Sequence, residues 1–221
     1  MIDNAFRGVM SRFAKPAVAV YARLGWTPNH VTTLGFAIAV VAAACVAMGW
    51  WWAAFGVWWL SRLADGTDGL LARETGQESD FGAYYDIVLD MAAYGSMVLG
   101  FAVAVPELAG RWLAMLFLYV LCITSALALG MEEGKRGLPP RDDRGLRLGA
   151  GLAEGGETGI AYSVFLLLPA WLEWTTAVWI AVLLVTVVAR TVLAYRTLAP
   201  ALDEAPPIER NSTQTGAPPE V

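Results

Sequence analysis

The sequence predicts an all-α membrane protein with six transmembrane helices, preceded by an N-terminal interfacial amphipathic helix. Three observations carry that reading. The chain has 221 residues, of which 57% are hydrophobic and ten are tryptophan; a soluble domain carries roughly 45–50% apolar residues. Its mean hydropathy is +0.52. Long apolar runs alternate with short polar stretches, with no strand-like alternation and no internal repeat. The formal net charge of −5 says little about the working surface. Much of the acid lies in one motif and in the tail (Asp203, Glu204, Glu209, Glu220). Nothing in this balance calls for a nucleic acid partner.

Residues 4–24 space Phe6, Val9, Met10, Phe13, Ala17 and Val20 three or four apart, with Arg7, Arg12, Lys15 and Arg23 on the remaining surface. That pattern suits a helix lying in the membrane interface, kinked at Pro16. Thr27 is placed as an N-cap and Pro28 as the first helical residue, opening a first span over about 29–48. Gly49 and the tryptophans at 50–52 mark an interfacial turn. The second span covers about 52–73, and a polar segment over 74–81 leads to the third, about 82–105. Pro106, Glu107 and Gly110 turn the chain into the fourth, about 111–131. A long polar stretch, 132–153, precedes a short fifth span with a glycine-rich start, about 154–168. After a turn over 169–174, the sixth span covers about 175–198. These elements make one membrane domain over 1–198, and the Pro-, Thr- and Glu-rich tail over 199–221 reads as disordered.

Six spans put both termini on one side. Of the 15 Lys and Arg, only Arg111 falls on the other side. The positive-inside rule then makes the termini cytoplasmic, in the cell (inner) membrane. No cleavable signal peptide is visible, so the first span is expected to stay as an anchor. Cys45 and Cys122 sit in apolar runs and read as small packing residues rather than a disulfide.

The chemistry concentrates in one pattern, Asp65-x2-Asp68-Gly69-x2-Ala72-Arg73-x8-Gly82-x3-Asp86-x3-Asp90. A central Asp costs roughly 2.5–3.5 kcal/mol on membrane insertion scales, so four of them need a reason. Asp65 and Asp68 share a helix face, and Gly82, Asp86 and Asp90 form a stripe four apart. Two adjacent antiparallel helices can turn these faces together. The resulting charge of −4 would be balanced by two divalent ions, and Arg73 would leave the site positive enough for a pyrophosphate. Hard oxygen ligands with no Cys or His nearby favour Mg2+ or Mn2+. Gly69 and Gly82 let backbone and ligand approach closely; helix-on-helix packing is the other reading of them.

This pattern is similar to the signature of the CDP-alcohol phosphatidyltransferase family at every fixed position, and the resemblance extends over about residues 4–198. It implies transfer of a substituted phosphoryl group from a CDP-linked lipid, usually CDP-diacylglycerol, to an alcohol acceptor, with release of CMP. By the same resemblance, Asp65, Asp68 and Asp86 are metal ligands. Asp90 takes the acceptor's proton and also lies near the metals. Gly69, Arg73 and Gly82 hold the donor, and Ser79 matches a hydroxyl position that contacts it. Asn29 and Thr32, in the Asn29-His30-Val31-Thr32 segment, resemble residues that help bind CDP. A homodimer is expected on the same ground.

The acceptor is less legible. Lys135, Arg136, Arg141, Arg144 and Arg147 form a basic segment, which serves either anionic lipid or a phosphate on the acceptor. Glu157, beside Thr158, either complements a helix N-terminus or faces the acceptor. The basic segment leans the reading toward glycerol 3-phosphate, with inositol phosphate, serine or another alcohol as alternatives. His30, the only histidine, is read as an interfacial or pocket neighbour. A cation or proton transporter is the competing class, because intramembrane carboxylates mark ion paths. It leaves the Gly-Ala-Arg spacing unexplained.

Overall fold

The computed structural model describes residues 16–137 and 155–199. Helical residues 16–23 form α1, the end of the expected amphipathic helix; residues 4–15 of that helix lie outside the described residues. Val18 of α1 is buried with Val31 and Leu71, and Tyr21 stacks on Trp26 at 5.6 Å. This anchors the end of α1 beside the motif helices.

The next helix, α2, spans Pro28–Ala47. Thr27 caps it in extended backbone, and its N–H donates to His30 Nδ1 at 3.2 Å. The single histidine therefore works as part of a helix cap. Helix α3 spans Trp51–Thr75 and ends at Gly76, whose φ of 64° is left-handed backbone that glycine adopts without strain. Ser79 caps α4, Asp80–Ala104, by accepting from the Gly82 N–H at 3.0 Å. A 3-10 turn at Pro106–Leu108 leads to α5, Ala109–Lys135. Helix α6 spans Gly155–Leu167, and a second 3-10 turn, Pro169–Trp171, leads to α7, Leu172–Leu198. The described residues contain no strand.

Packing falls into two groups. Helix α2 lies against both α3 and α4, α5 lies against α7, and α6 joins α3 to α7. The α2–α4 contact is close: a Cβ on Gly100 would lie 2.5 Å from the Ala43 carbonyl oxygen. Small residues at such crossings are the membrane solution to helix association, because lipid supplies no hydrophobic drive. An aromatic column fills the centre. Trp58, Phe101, Trp112, Tyr162 and Phe165 are all essentially buried, with Phe101 on Trp112 at 5.4 Å and Trp58 on Tyr162 at 5.3 Å. Each such pair contributes about 0.5–1.5 kcal/mol beyond area burial.

Four helical stretches among the described residues, rather than six, are long and apolar enough to cross a membrane: Pro28–Ala47, Asp80–Ala104, Pro106–Lys135 and Pro169–Leu198. Helix α3 has the length, but Arg62, Asp65, Asp68 and Arg73 lower its apolar character. The described part of α6, Gly155–Leu167, has 13 residues, about 20 Å at 1.5 Å per residue, short of a hydrocarbon core of about 30 Å.

Candidate active site

The motif halves meet where α3 and α4 converge on the start of α2. Carboxylate oxygens of Asp65, Asp68 and Asp86 lie within 4.8 Å of one another. Asp65 and Asp86 are half-buried and Asp68 is buried. Thr32 Oγ1 donates to Asp68 Oδ2 at 2.6 Å, and the Gly69 N–H donates to Asp68 Oδ1. Both oxygens of Asp68 are thereby oriented. All three residues offer hard oxygen, so this donor set suits Mg2+ or Mn2+.

Asp90 lies beside these three, joined to Asp65 through one nitrogen of Arg62. Its Oδ1 accepts from Arg62 Nη1 at 2.7 Å, and the same nitrogen lies 3.4 Å from Asp65 Oδ2. Arg62 Nη2 donates to Ser61 Oγ at 3.1 Å, and Ser61 Oγ donates to the Gly35 carbonyl at 2.8 Å. The guanidinium also lies 4.7 Å from the Trp58 ring centroid and 5.3 Å from that of Tyr94. In the sequence Arg62 serves only as one of the positive charges that set topology. Its position three before Asp65, in the same apolar helix, is the signal that points to a site role. Tyr94 likewise continues the Gly82, Asp86, Asp90 stripe by one more turn.

The expected donor residues cluster beside the carboxylates. A Cβ on Gly82 would lie 3.1 Å from Ser79 Oγ and 3.5 Å from Asn29 Oδ1, which joins Asn29, Ser79 and Gly82 at one place. A Cβ on Gly69 would lie 3.6 Å from Arg73 Nη1. Arg73 is exposed and near the end of α3. Thr33 Oγ1 and Tyr85 OH lie 3.0 Å apart and link α2 to α4 on the same side.

The expected acceptor residues are arranged differently. Lys135 is exposed and pairs with Glu132 at 2.7 Å. Arg136 donates to the carbonyls of Thr197 and Leu198, at 3.0 and 2.6 Å. It therefore closes the C-terminal turn of α7, which has carbonyls without helical partners. Arg141, Arg144 and Arg147 lie outside the described residues. Glu157 is half-buried in the first turn of α6, and its Oε2 has no hydrogen-bond partner among the described residues. The start of α6 also borders Tyr94, whose hydroxyl would lie 3.1 Å from a Cβ on Gly155.

With this geometry in place, residues 25–188 match the family model described as CDP-alcohol phosphatidyltransferase. The chain belongs to the CDP-alcohol phosphatidyltransferase family. Among curated relatives, it is 35% identical to the inner membrane protein YnjF of Escherichia coli, over 90% of this chain and 97% of that protein. It is 30% identical to a phosphatidylinositol phosphate synthase of Mycobacteroides abscessus, over 90% of this chain and 93% of the relative. Two crystal structures of the Mycobacterium tuberculosis phosphatidylinositol phosphate synthase share the fold. The one with CDP-DAG bound has a TM-score of 0.63 at 23% identity, covering 83% of this chain and 94% of that one. The one in complex with manganese and citrate has a TM-score of 0.66 at 22% identity, covering 82% and 88%.

Proposed function

We propose that the protein transfers a phosphatidyl group from CDP-diacylglycerol to a phosphorylated inositol, releasing CMP. One observation carries the transferase reading: three carboxylates of the family motif gather into a single hard-oxygen set while Asp90 stands beside it, four residues beyond Asp86 on α4. Asp65, Asp68 and Asp86 would hold the metal, which when bound supplies positive charge for the pyrophosphate of the donor. Thr32 holds Asp68 in orientation. Asn29, Ser79 and Gly82 border the donor side, with Gly69 leaving room next to Arg73 for the nucleotide phosphates.

The acceptor hydroxyl attacks the phosphorus that carries diacylglycerol. A new bond forms between the acceptor oxygen and that phosphorus, and the bond to the CMP oxygen breaks. The acceptor's proton passes to Asp90, and Arg73 offsets charge on the leaving CMP. The inositol phosphate reading replaces glycerol 3-phosphate. It draws on the relatives named as phosphatidylinositol phosphate synthases, and the basic segment supports either acceptor equally. The termini and this site face the cytoplasm by the distribution of Lys and Arg. The working unit is a homodimer, which cross-linking in native membranes would check. Purified protein with Mn2+ and CDP-diacylglycerol should release CMP only when an alcohol acceptor is present. Acceptor-independent ion flux in liposomes, without CMP, would favour the transporter instead.

A further inference from the structure

We propose that Tyr119 is a positioning residue for the acceptor: its hydroxyl fixes the first turns of α6 against the turn of α4 that follows Asp90. This rests on the phosphatidyl-transfer reading, in which an alcohol is held in line with the donor phosphorus. The helices pack as two groups, and the motif acids all lie on α3 and α4. Tyr119, on α5, stacks its ring on Tyr94 of α4 at 6.4 Å. Its oxygen accepts from Trp179 Nε1 of α7 at 2.8 Å. The hydroxyls of Tyr162 and Thr158, both on α6, hydrogen-bond with the same phenol. Tyr162 OH also donates to the Tyr94 carbonyl at 3.0 Å. Tyr94, Thr158, Tyr162 and Trp179 are all buried. One chain of polar contacts thus joins α7, α5, α6 and α4.

A phenylalanine at 119 would keep the ring contacts, so the hydroxyl adds only its hydrogen bonds. Away from water such a group is costly unless partnered, and here the partners fix a direction. An indole N–H can only donate, and Tyr162 gives its proton to the Tyr94 carbonyl. The proton of Tyr119 therefore goes to an oxygen of α6, at Tyr162 or Thr158. This sets the height and rotation of α6 through its inner face. On that face, one turn before Thr158, a Cβ on Gly155 would lie 3.1 Å from the Tyr94 hydroxyl. The Tyr94 ring lies 5.3 Å from the Arg62 guanidinium, which pairs with Asp90 at 2.7 Å. Two side chains, Tyr94 and Arg62, thus separate the start of α6 from Asp90. The inner face of that first turn is a wall that the second group of helices brings to the motif. The alcohol, arriving beside Asp90, is held against this wall. A misplacement of about 1 Å in such a positioning element can cost about 100-fold in rate.

The test compares wild type, Tyr119→Phe, Trp179→Phe and the double variant, purified in detergent with Mn2+. CMP release is measured against CDP-diacylglycerol and against inositol phosphate, or against whichever alcohol wild type takes from a panel with glycerol 3-phosphate and serine. Mn2+ binding is followed by electron paramagnetic resonance. Tyr119→Phe should lower kcat/KM for the acceptor about tenfold or more, with donor KM and Mn2+ affinity as in wild type. Trp179→Phe should act in the same direction. The double variant should fall short of the product of the two single effects, because both changes break one contact. The proposal is overturned if Tyr119→Phe keeps wild-type kcat/KM for the acceptor, or shifts donor KM or Mn2+ affinity by as much. It is equally overturned if the two single effects simply multiply. If Tyr119→Phe does not fold, Trp179→Phe decides: an acceptor-only loss supports the proposal and unchanged acceptor kinetics overturn it. Wild-type protein that releases no CMP with any alcohol refutes the transfer reading, and the proposal with it. A working wild-type enzyme with an unaffected Tyr119→Phe variant refutes the proposal alone.

Discussion

Thr32 and Asp68, 36 residues apart in the chain, are joined by a 2.6 Å hydrogen bond from Thr32 Oγ1 to Asp68 Oδ2. The bond couples the second turn of α2 to a metal-binding carboxylate on α3. Through it, Thr32 fixes the side chain of Asp68, one oxygen of which lies within 4.8 Å of oxygens of Asp65 and Asp86. Outer-shell partners of this kind typically contribute 10–100-fold in metal affinity. Thr32→Val should weaken Mn2+ binding by about that factor, and Thr32→Ser should stay near wild type. A Mn2+ titration followed by electron paramagnetic resonance measures both; equal affinities in Thr32→Val and wild type would contradict this role for Thr32.

Metal removal should stop the reaction outright. Chelation with EDTA is expected to abolish CMP release, and added Mn2+ or Mg2+ to restore it. Asp65→Asn, Asp68→Asn or Asp86→Asn should each leave no restorable activity at ordinary metal concentrations, because each removes one of the three gathered carboxylates. The assay is CMP release against free metal concentration. Restoration in these variants identical to that of wild type would place the ion elsewhere.

Gly82 stands where the heads of α2 and α4 meet, with Ser79 Oγ and Asn29 Oδ1 at 3.1 and 3.5 Å from the position of an added Cβ. Gly82→Ala should crowd both polar groups on the donor side. We expect the KM for CDP-diacylglycerol to rise about tenfold, or ~1.4 kcal/mol, with kcat much less affected, the signature of lost uniform binding. Steady-state kinetics over a range of donor concentrations separates the two parameters. A fall in kcat at unchanged KM would move Gly82 from donor binding to the chemical step.

Gly100 tests the scaffold behind the site. An added Cβ would lie 2.5 Å from the Ala43 carbonyl oxygen, so α2 and α4 would have to separate. Overpacking of this kind typically costs about 1–3 kcal/mol. In a chain of this size each kcal/mol lowers Tm by about 2–4 °C. Gly56→Ala is the control, since nothing lies within 4 Å of its added Cβ. Thermal unfolding in detergent should show a loss of several degrees for Gly100→Ala and none for Gly56→Ala; equal melting temperatures would mean that the helices yield freely.

The helices and the carboxylate cluster are legible in the sequence because the motif is local. Its spacings of three and four place Asp65 with Asp68, and Asp86 with Asp90, on helix faces. Thr27 caps α2 as its sequence predicts, because a cap depends on a few adjacent residues; Ser79, expected to contact the donor, caps α4. The span count is less legible, and for a physical reason. The charges that build the site are the ones that lower the apolar character of α3, so the helix most central to chemistry fails a hydropathy criterion. Long-range pairings are not legible. Arg62 reads as a topology charge until α4 brings Asp90 to it from 28 residues away. Arg136 reads as part of a basic segment for anionic lipid or an acceptor phosphate, and its contacts with the carbonyls of Thr197 and Leu198 at the end of α7 have no local signal. Thr32 is expected from the sequence to bind nucleotide, and its hydroxyl is engaged by Asp68.

The acceptor is open to direct measurement. Purified protein with Mn2+ and CDP-diacylglycerol is incubated separately with inositol phosphate, glycerol 3-phosphate, inositol and serine, and the lipid products are identified by mass spectrometry. The expected product is a phosphatidylinositol phosphate lipid formed one-for-one with CMP. CMP paired with a phosphatidylglycerol phosphate or phosphatidylserine product would contradict the acceptor, and no CMP with any of the four would contradict the reaction itself.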